Sequence, residues 1–244
     1  MKLAVSLFLF LALASGLYAQ NYTIENKSIK KSVKKPKQYE ITISYPQIKG
    51  LNNASQDGFN KLMASRMNAE RDSFDVWMKD WEVIEHHKDM GSYYDVNDTV
   101  LYMDPKLISV ICYVDTYFEG AAHPSNWSFS LNYDLDKNKE IDLSDLFTGD
   151  YVKFLSEYCI KDITKQKKEN YAPELTGPDE FTLDGAGPKA ENFKVFNFTK
   201  EGFLVTFPTY QVGAYVEGPM EVLLQYSLLK DYAKPGSAYE SFVK

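Results

Sequence analysis

The chain is poor in cysteine and histidine, and it has no long apolar run beyond its first residues. Two cysteines, Cys112 and Cys159, are too few for a disulfide-dense scaffold, and they leave one disulfide or two buried thiols equally open. None of the three histidines stands in an HExxH spacing. His86 and His87 follow Glu85 directly, and neighbours on a helix project about 100° apart, which suits one shared ion badly. A GxSxG elbow and a glycine-rich phosphate loop are both absent, so serine-hydrolase and nucleotide chemistry have no motif here. No cofactor is expected. Positive charge is also in deficit, with 27 Lys and Arg against 34 Asp and Glu and a net charge of −7. That balance argues against nucleic acid as a partner and favours basic partners through long-range steering.

What is present begins with an export signal. Lys2 precedes an apolar run from Leu3 to Leu13, and Ala14, Ser15 and Gly16 lead to Ala19-Gln20. This is the charged, apolar and cleavage-region order of a signal peptide, read here as residues 1–19. The competing reading is an uncleaved anchor of marginal length. No Cys follows the run, which argues against a lipid-modified N-terminus. No later stretch reaches the roughly 20 apolar residues of a membrane span. The expected location is periplasmic or extracellular. With 44% hydrophobic and 15% aromatic residues, the remainder has ample material for a folded core.

Residues 20–38 are polar, with Lys30, Lys31, Lys34, Lys35 and Lys37 around Pro36. Such runs are usually solvated linker, and a basic tether for anionic envelope polymers is the alternative. Tyr39, Ile41, Ile43 and Tyr45 then alternate with polar residues, the pattern of a half-buried strand. Phe59, Leu62, Met63, Met67, Phe74, Trp77, Met78 and Trp81 recur at helical spacing and predict one long amphipathic helix between Asn53 and Trp81. A polar loop around Asp89 to Asp98 follows. Strands are expected at Thr99 to Met103, Leu107 to Tyr117 and Trp127 to Tyr133, and a second helix at Tyr151 to Lys165. Phe193 to Phe198 and Phe203 to Phe207 form a hairpin across Lys200-Glu201-Gly202, and residues 221–226 a last strand. Without regular βαβ alternation, the fold class is α+β. It is expected as a mostly antiparallel sheet with one long and one shorter helix packed on it, in one or two lobes, over residues 39–244.

Two loops carry candidate chemistry. Asp134, Asp136, Asn138 and Asp142 stand at positions one, three, five and nine of a calcium loop, but Lys139 and Asp145 occupy the places that need Gly and Glu. Asp136 to Lys139 therefore reads as a hairpin turn, and no metal is expected. In the second loop, Glu119 and His123 could act as an acid/base pair, with Asp115 nearby. Six Asn-x-Ser/Thr sequons begin at Asn21, Asn26, Asn53, Asn97, Asn126 and Asn197. They matter only in a host that glycosylates its secreted proteins.

Three segments together resemble one family. Tyr117-Phe-Glu-Gly-Ala-Ala-His123-Pro124 resembles its Y-x-G-G-A-H loop. Leu131-Asn-Tyr-Asp134 through Ile141-Asp-Leu-Ser-Asp-Leu-Phe147 is similar to its YDL and DLF stretch. Tyr210-Gln-Val-Gly-Ala-Tyr215-Val-Glu-Gly218-Pro219 resembles its Y-x-V-x-P-Y-x-x-G-P segment, with Ala214 where the family usually has Pro. The family is the RsiV-like domain, found in a lysozyme-binding anti-sigma factor and in a peptidoglycan deacetylase. The resemblance implies an α+β unit of two lobes that binds rather than catalyses, with a lysozyme-like protein or peptidoglycan as partner. It also implies a contact surface around Tyr215. The candidate binding residues are thus Tyr117, Glu119, His123, Tyr210, Tyr215 and Glu217. The competing readings are a wall-carbohydrate hydrolase using Glu119 and His123, and a purely structural envelope protein.

Overall fold

The computed structural model describes residues 22–82 and 91–243. The signal segment 1–19 and the Glu85-His86-His87 run lie outside the described residues. The fold is α+β and mostly antiparallel, as expected, and its two lobes are two sheets, each with its own long helix and its own core.

The first sheet has six strands in chain order: β1 (Thr23–Val33), β2 (Tyr39–Lys49), β3 (Ser92–Met103), β4 (Leu107–Tyr117), β5 (Ser125–Asp134) and β6 (Lys139–Glu140). All neighbours are antiparallel except β2 and β3, which run parallel because a long helix, α1 (Ala54–Asp80), crosses between them. Residues 23–33, read above as linker, are strand β1. Its exposed positions are all polar, Lys27 and Lys30 among them, as suits an exposed edge, while Ile24, Ile29 and Val33 are half-buried. β3 also starts earlier than expected. Tyr94 and Val96 are buried while Tyr93, Asp95 and Asn97 face outward, and those outward polar positions made the segment look like loop.

Helix α1 begins where Asn53 accepts from the Gln56 backbone N–H. Its stripe of Phe59, Met63, Met67, Phe74 and Met78 is fully buried against the sheet, each side chain contributing about 1.5–3 kcal/mol of burial. At the other end the Lys37 ammonium donates to the carbonyls of Met78, Lys79 and Trp81, satisfying acceptors that the helix leaves open.

The second sheet is β7 (Phe196–Phe198), β8 (Phe203–Phe207) and β9 (Met220–Leu224), antiparallel throughout. Phe193 belongs to a short 3-10 turn ahead of it and not to the strand. Two short helices, α2 (Leu143–Leu146) and α4 (Glu180–Gly185), flank the longer α3 (Tyr151–Asn170), which runs five residues past its expected end. Its buried line of Leu155, Cys159, Ile163 and Lys167 recurs every four residues. Cys112 lies in the first core and Cys159 in the second, so the two thiols are separate, buried and free. Burial pushes Cys112 up to about 12 and raises Cys159 as well.

Strand β4 is buried without interruption from Leu107 to Cys112 because both its faces are covered. Ile108, Val110 and Cys112 meet α1, whereas Leu107 joins the second core. The two halves are joined there by a buried polar network. The Ser109 hydroxyl donates to Asn132 Oδ1 at 2.6 Å and accepts from Asn197 Nδ2 at 2.9 Å and the Phe198 N–H at 3.0 Å. Asn132 Nδ2 donates to the Phe196 carbonyl at 2.8 Å, Asn197 Nδ2 to the Val110 carbonyl at 3.0 Å, and the Ser130 hydroxyl to Asn197 Oδ1 at 2.8 Å. The Ser109 hydroxyl thus uses its one donor and both acceptor sites.

Candidate partner-binding face

Beyond Cys112, β4 emerges from the seam, and its outward residues Tyr113, Asp115 and Tyr117 reach the surface. The loop that follows is anchored first and exposed later. Phe118 packs 4.9 Å from Trp81 and 5.4 Å from Phe74, measured between ring centroids. The Glu119 N–H donates to Ser92 Oγ at 2.8 Å, and the Glu119 carbonyl accepts from Trp81 Nε1 at 2.9 Å. Gly120, at φ 89°, allows the turn that carries the chain out to His123. His123 Nδ1 lies 2.7 Å from the Pro124 carbonyl, which can only accept, so Nε2 is left facing the Tyr210 hydroxyl at 3.5 Å.

The second loop follows β8. Thr209 Oγ1 donates to Asn126 Oδ1 at the start of β5, tying this loop to the first sheet. Tyr210 then takes φ 72°, a left-handed conformation that costs a bulky residue on the order of 1–3 kcal/mol. Behind it, Gln211 Nε2 donates to the carbonyls of Gly185 and Asn192, both at 2.8 Å, and Val212 is buried. A Cβ at Gly213 would stand 2.4 Å from Glu217 Oε2. That close approach lets the Glu217 carboxylate accept the Ala214 N–H at 2.7 Å and hold the turn Tyr215–Glu217. Glu217 Oε2 also lies 3.6 Å from Lys167 Nζ, which donates to Asp179 Oδ2 at 2.7 Å. The Lys167 side chain is 1% exposed, so this ammonium, arriving from α3, ties α4 and the Tyr215 turn together.

These two loops stack their rings. His123 and Tyr215 lie 4.2 Å apart between centroids at an interplanar angle of 30°, and Tyr210 lies 5.7 Å from Tyr215. Tyr117 stacks on Tyr93 at 6.1 Å, and the Tyr93 hydroxyl donates to Asp115 at 3.1 Å. Burial and the Asp115 carboxylate push the Tyr93 hydroxyl up to about 12, with Tyr215 adding to the effect. Tyr210 is 50% exposed, and His123 is exposed as well.

Of the six residues named from the sequence, His123, Tyr210 and Tyr215 come together, and Tyr117 stands with Tyr93 at the end of the first sheet. Glu119 and Glu217 do not join them. Glu119 is 2% exposed, and among the described residues its Oε1 has no hydrogen-bond partner. No hydrogen bond joins it to His123, so the geometry an acid/base pair requires is not present. Glu217 faces inward and holds its loop. Tyr93, Lys167 and Asp179 were missed. The four-residue spacing of Lys167 behind Leu155, Cys159 and Ile163 was the available signal for one of them. The arrangement offers aromatic faces, hydroxyls and a half-satisfied imidazole, which is the equipment of a binding surface. Among the described residues no group of three or more His, Cys, Asp or Glu is placed to hold a metal ion.

The geometry defines an α+β domain with a two-loop aromatic face. Residues 144–227 match the family described as "Protein of unknown function (DUF3298)". Over 211 residues, 86% of its length, the chain is 26% identical to "Peptidoglycan-N-acetylmuramic acid deacetylase PdaC" of Bacillus subtilis (strain 168), and the aligned part spans 42% of that enzyme. Two solved structures share the fold. One is a DUF3298 family member from Bacteroides fragilis, with TM-score 0.61, 16% identity and coverage of 91% of this chain and 98% of that one. The other is a DUF3298 family protein from Pseudomonas aeruginosa PAO1, with TM-score 0.61, 13% identity and coverage of 88% and 95%.

Proposed function

We propose that this protein is an exported, non-catalytic binding domain of the cell envelope, which recognises a lysozyme-like muramidase or peptidoglycan through the His123, Tyr210 and Tyr215 face. The observation that carries the reading is the convergence of three rings from two loops, one from each sheet, on one exposed surface. Tyr210 supports it, because its left-handed backbone holds a half-exposed ring against Tyr215 on this surface. The similarity to a peptidoglycan deacetylase supports a cell-wall setting, and the RsiV-like motifs support lysozyme as one arm of the test. Export rests on the N-terminal signal pattern.

Calorimetric titration of the purified protein with lysozyme and, separately, with soluble peptidoglycan fragments tests this. Micromolar or tighter binding is expected for one of them. Tyr215→Ala is expected to weaken that binding about 30-fold, the effect of losing a central aromatic worth about 2 kcal/mol. Unchanged binding in a folded Tyr215→Ala variant would move the site elsewhere, and absence of heat with both ligands would refute the reading.

A further inference from the structure

The hairpin of β1 and β2 carries a feature that the aromatic face does not use. From Asn26 to Tyr39 the chain has six lysines and no acidic residue, within a protein whose net charge is −7. The fold assigns three of these lysines to structural work. Lys27 pairs with Glu25 at 2.9 Å, Lys31 holds Asp75 at 2.6 Å, and Lys37 closes the end of α1. Lys30 and Lys35 remain exposed, joined by Lys79 in the last turn of α1, and among the described residues no carboxylate pairs with any of them. Among the described residues Lys34 has only Glu40 at 4.0 Å, with both side chains more than 60% exposed, a pair of little energetic value. Between the hairpin and the helix end lies a groove of about 430 Å³, lined by Pro36, Lys37, Met78 and Lys79 and by the Lys31–Asp75 ion pair among others.

Lysines on an edge strand also discourage strand pairing between copies. That purpose accounts for Lys30. It does not account for Lys34 and Lys35, which lie beyond the strand, or for Lys79, which is on a helix. We infer that the hairpin turn and helix end beside this groove, through the exposed ammonium groups of Lys34, Lys35 and Lys79, are a docking site for a linear, phosphate-bearing polyanion. Lysine is a point charge suited to single phosphates along a chain. Cations spread over a hairpin turn and a helix end fit a strand of polymer better than a flat bilayer. This site lies on the first sheet's β1 edge and is independent of the aromatic face.

Linear inorganic polyphosphate is the probe, titrated into the purified protein with binding read by calorimetry. Three neutralised phosphates give a log-log salt slope near −2 for a single-stranded polyanion, so affinity is expected to fall about 20-fold between about 50 and 200 mM salt. The triple variant Lys34→Gln, Lys35→Gln, Lys79→Gln is expected to lose most of the binding and flatten the slope. Arginine at the same three positions is expected to retain both. All three side chains are exposed, and the thermal transition is expected to stay at its wild-type value. Three results would overturn the inference: no binding at low salt, equal binding by the glutamine variant, or binding to anionic phospholipid vesicles without binding to the soluble polymer. Tyr215→Ala serves as the control and is expected to leave polyphosphate binding unchanged.

Discussion

Lys167→Met removes the one cation that α3 places between Asp179 and Glu217 while keeping the length and apolar stem of the side chain. In the wild type the ammonium is fully enclosed, with one carboxylate at 2.7 Å and another at 3.6 Å. Burial alone would raise the Asp179 carboxyl, but Lys167 and the Thr182 N–H together hold it below its ordinary value. Breaking a buried pair by removing one partner costs about 3–5 kcal/mol. Asp179 is 36% exposed and can rehydrate, whereas Glu217 at 14% cannot do so freely, which puts the expected loss near the lower end, about 3 kcal/mol. For a domain of this size that is a fall in Tm of about 6–12 °C. The sign of the pH dependence follows from the depressed Asp179 value. Its stabilisation is complete above the carboxylate's unfolded value, near 4, and is lost as pH falls through the lower folded value. The gap between wild type and variant should therefore be full at pH 7 and narrow below about pH 4. Urea unfolding of both proteins from pH 7 down to pH 3 measures it. A difference under about 1 kcal/mol at pH 7, or one that does not change with pH, would refute the role given to the ion triad.

Asn197→Ala should cost about 2–3 kcal/mol by urea unfolding, because it strands the Val110 carbonyl and takes a donor and an acceptor from the seam. Tyr210→Asn should raise stability by about 0.5–1 kcal/mol, since Asn tolerates φ 72°, while weakening partner binding; a loss of stability would contradict the strain assigned there. Cys112 and Cys159 should resist a thiol reagent at pH 8 in the native protein and react together on unfolding, because both are buried and raised; fast native labelling of either would contradict that.

Periodicity was legible wherever one face was buried and the other wet. The stripe of α1 was therefore read to within a residue, and β2 was placed correctly at its start, although it runs four residues beyond Tyr45 to Lys49. The sequence misled where polar residues do structural work. β1 is dense with lysine because it is an edge, and Tyr93, Asp95 and Asn97 disguised the start of β3 because their side of the sheet faces water. Two lobes were implied by the resemblance, but periodicity did not show which strands form the second sheet, since its short strands look like any hairpin and the uninterrupted burial of β4 is what shows that another layer covers it. At the candidate face, aromatic and turn residues were readable as such. Which carboxylates turn inward was not, because Glu119 and Glu217 are placed by contacts to Ser92, Trp81 and Lys167, far away in the chain.

The Ser109, Asn132 and Asn197 network has one more effect. His123 belongs to the half built around α1, and Tyr210 and Tyr215 to the half built around α3, so the ring stack is assembled only when both halves meet in one alignment. Apolar contact alone tolerates sliding, whereas a set of mutually exhausted donors and acceptors has a single register. The recognition surface thereby acts as its own inspection mark: a molecule whose halves have slipped, or of which only one half survives proteolysis, presents separate rings and no platform.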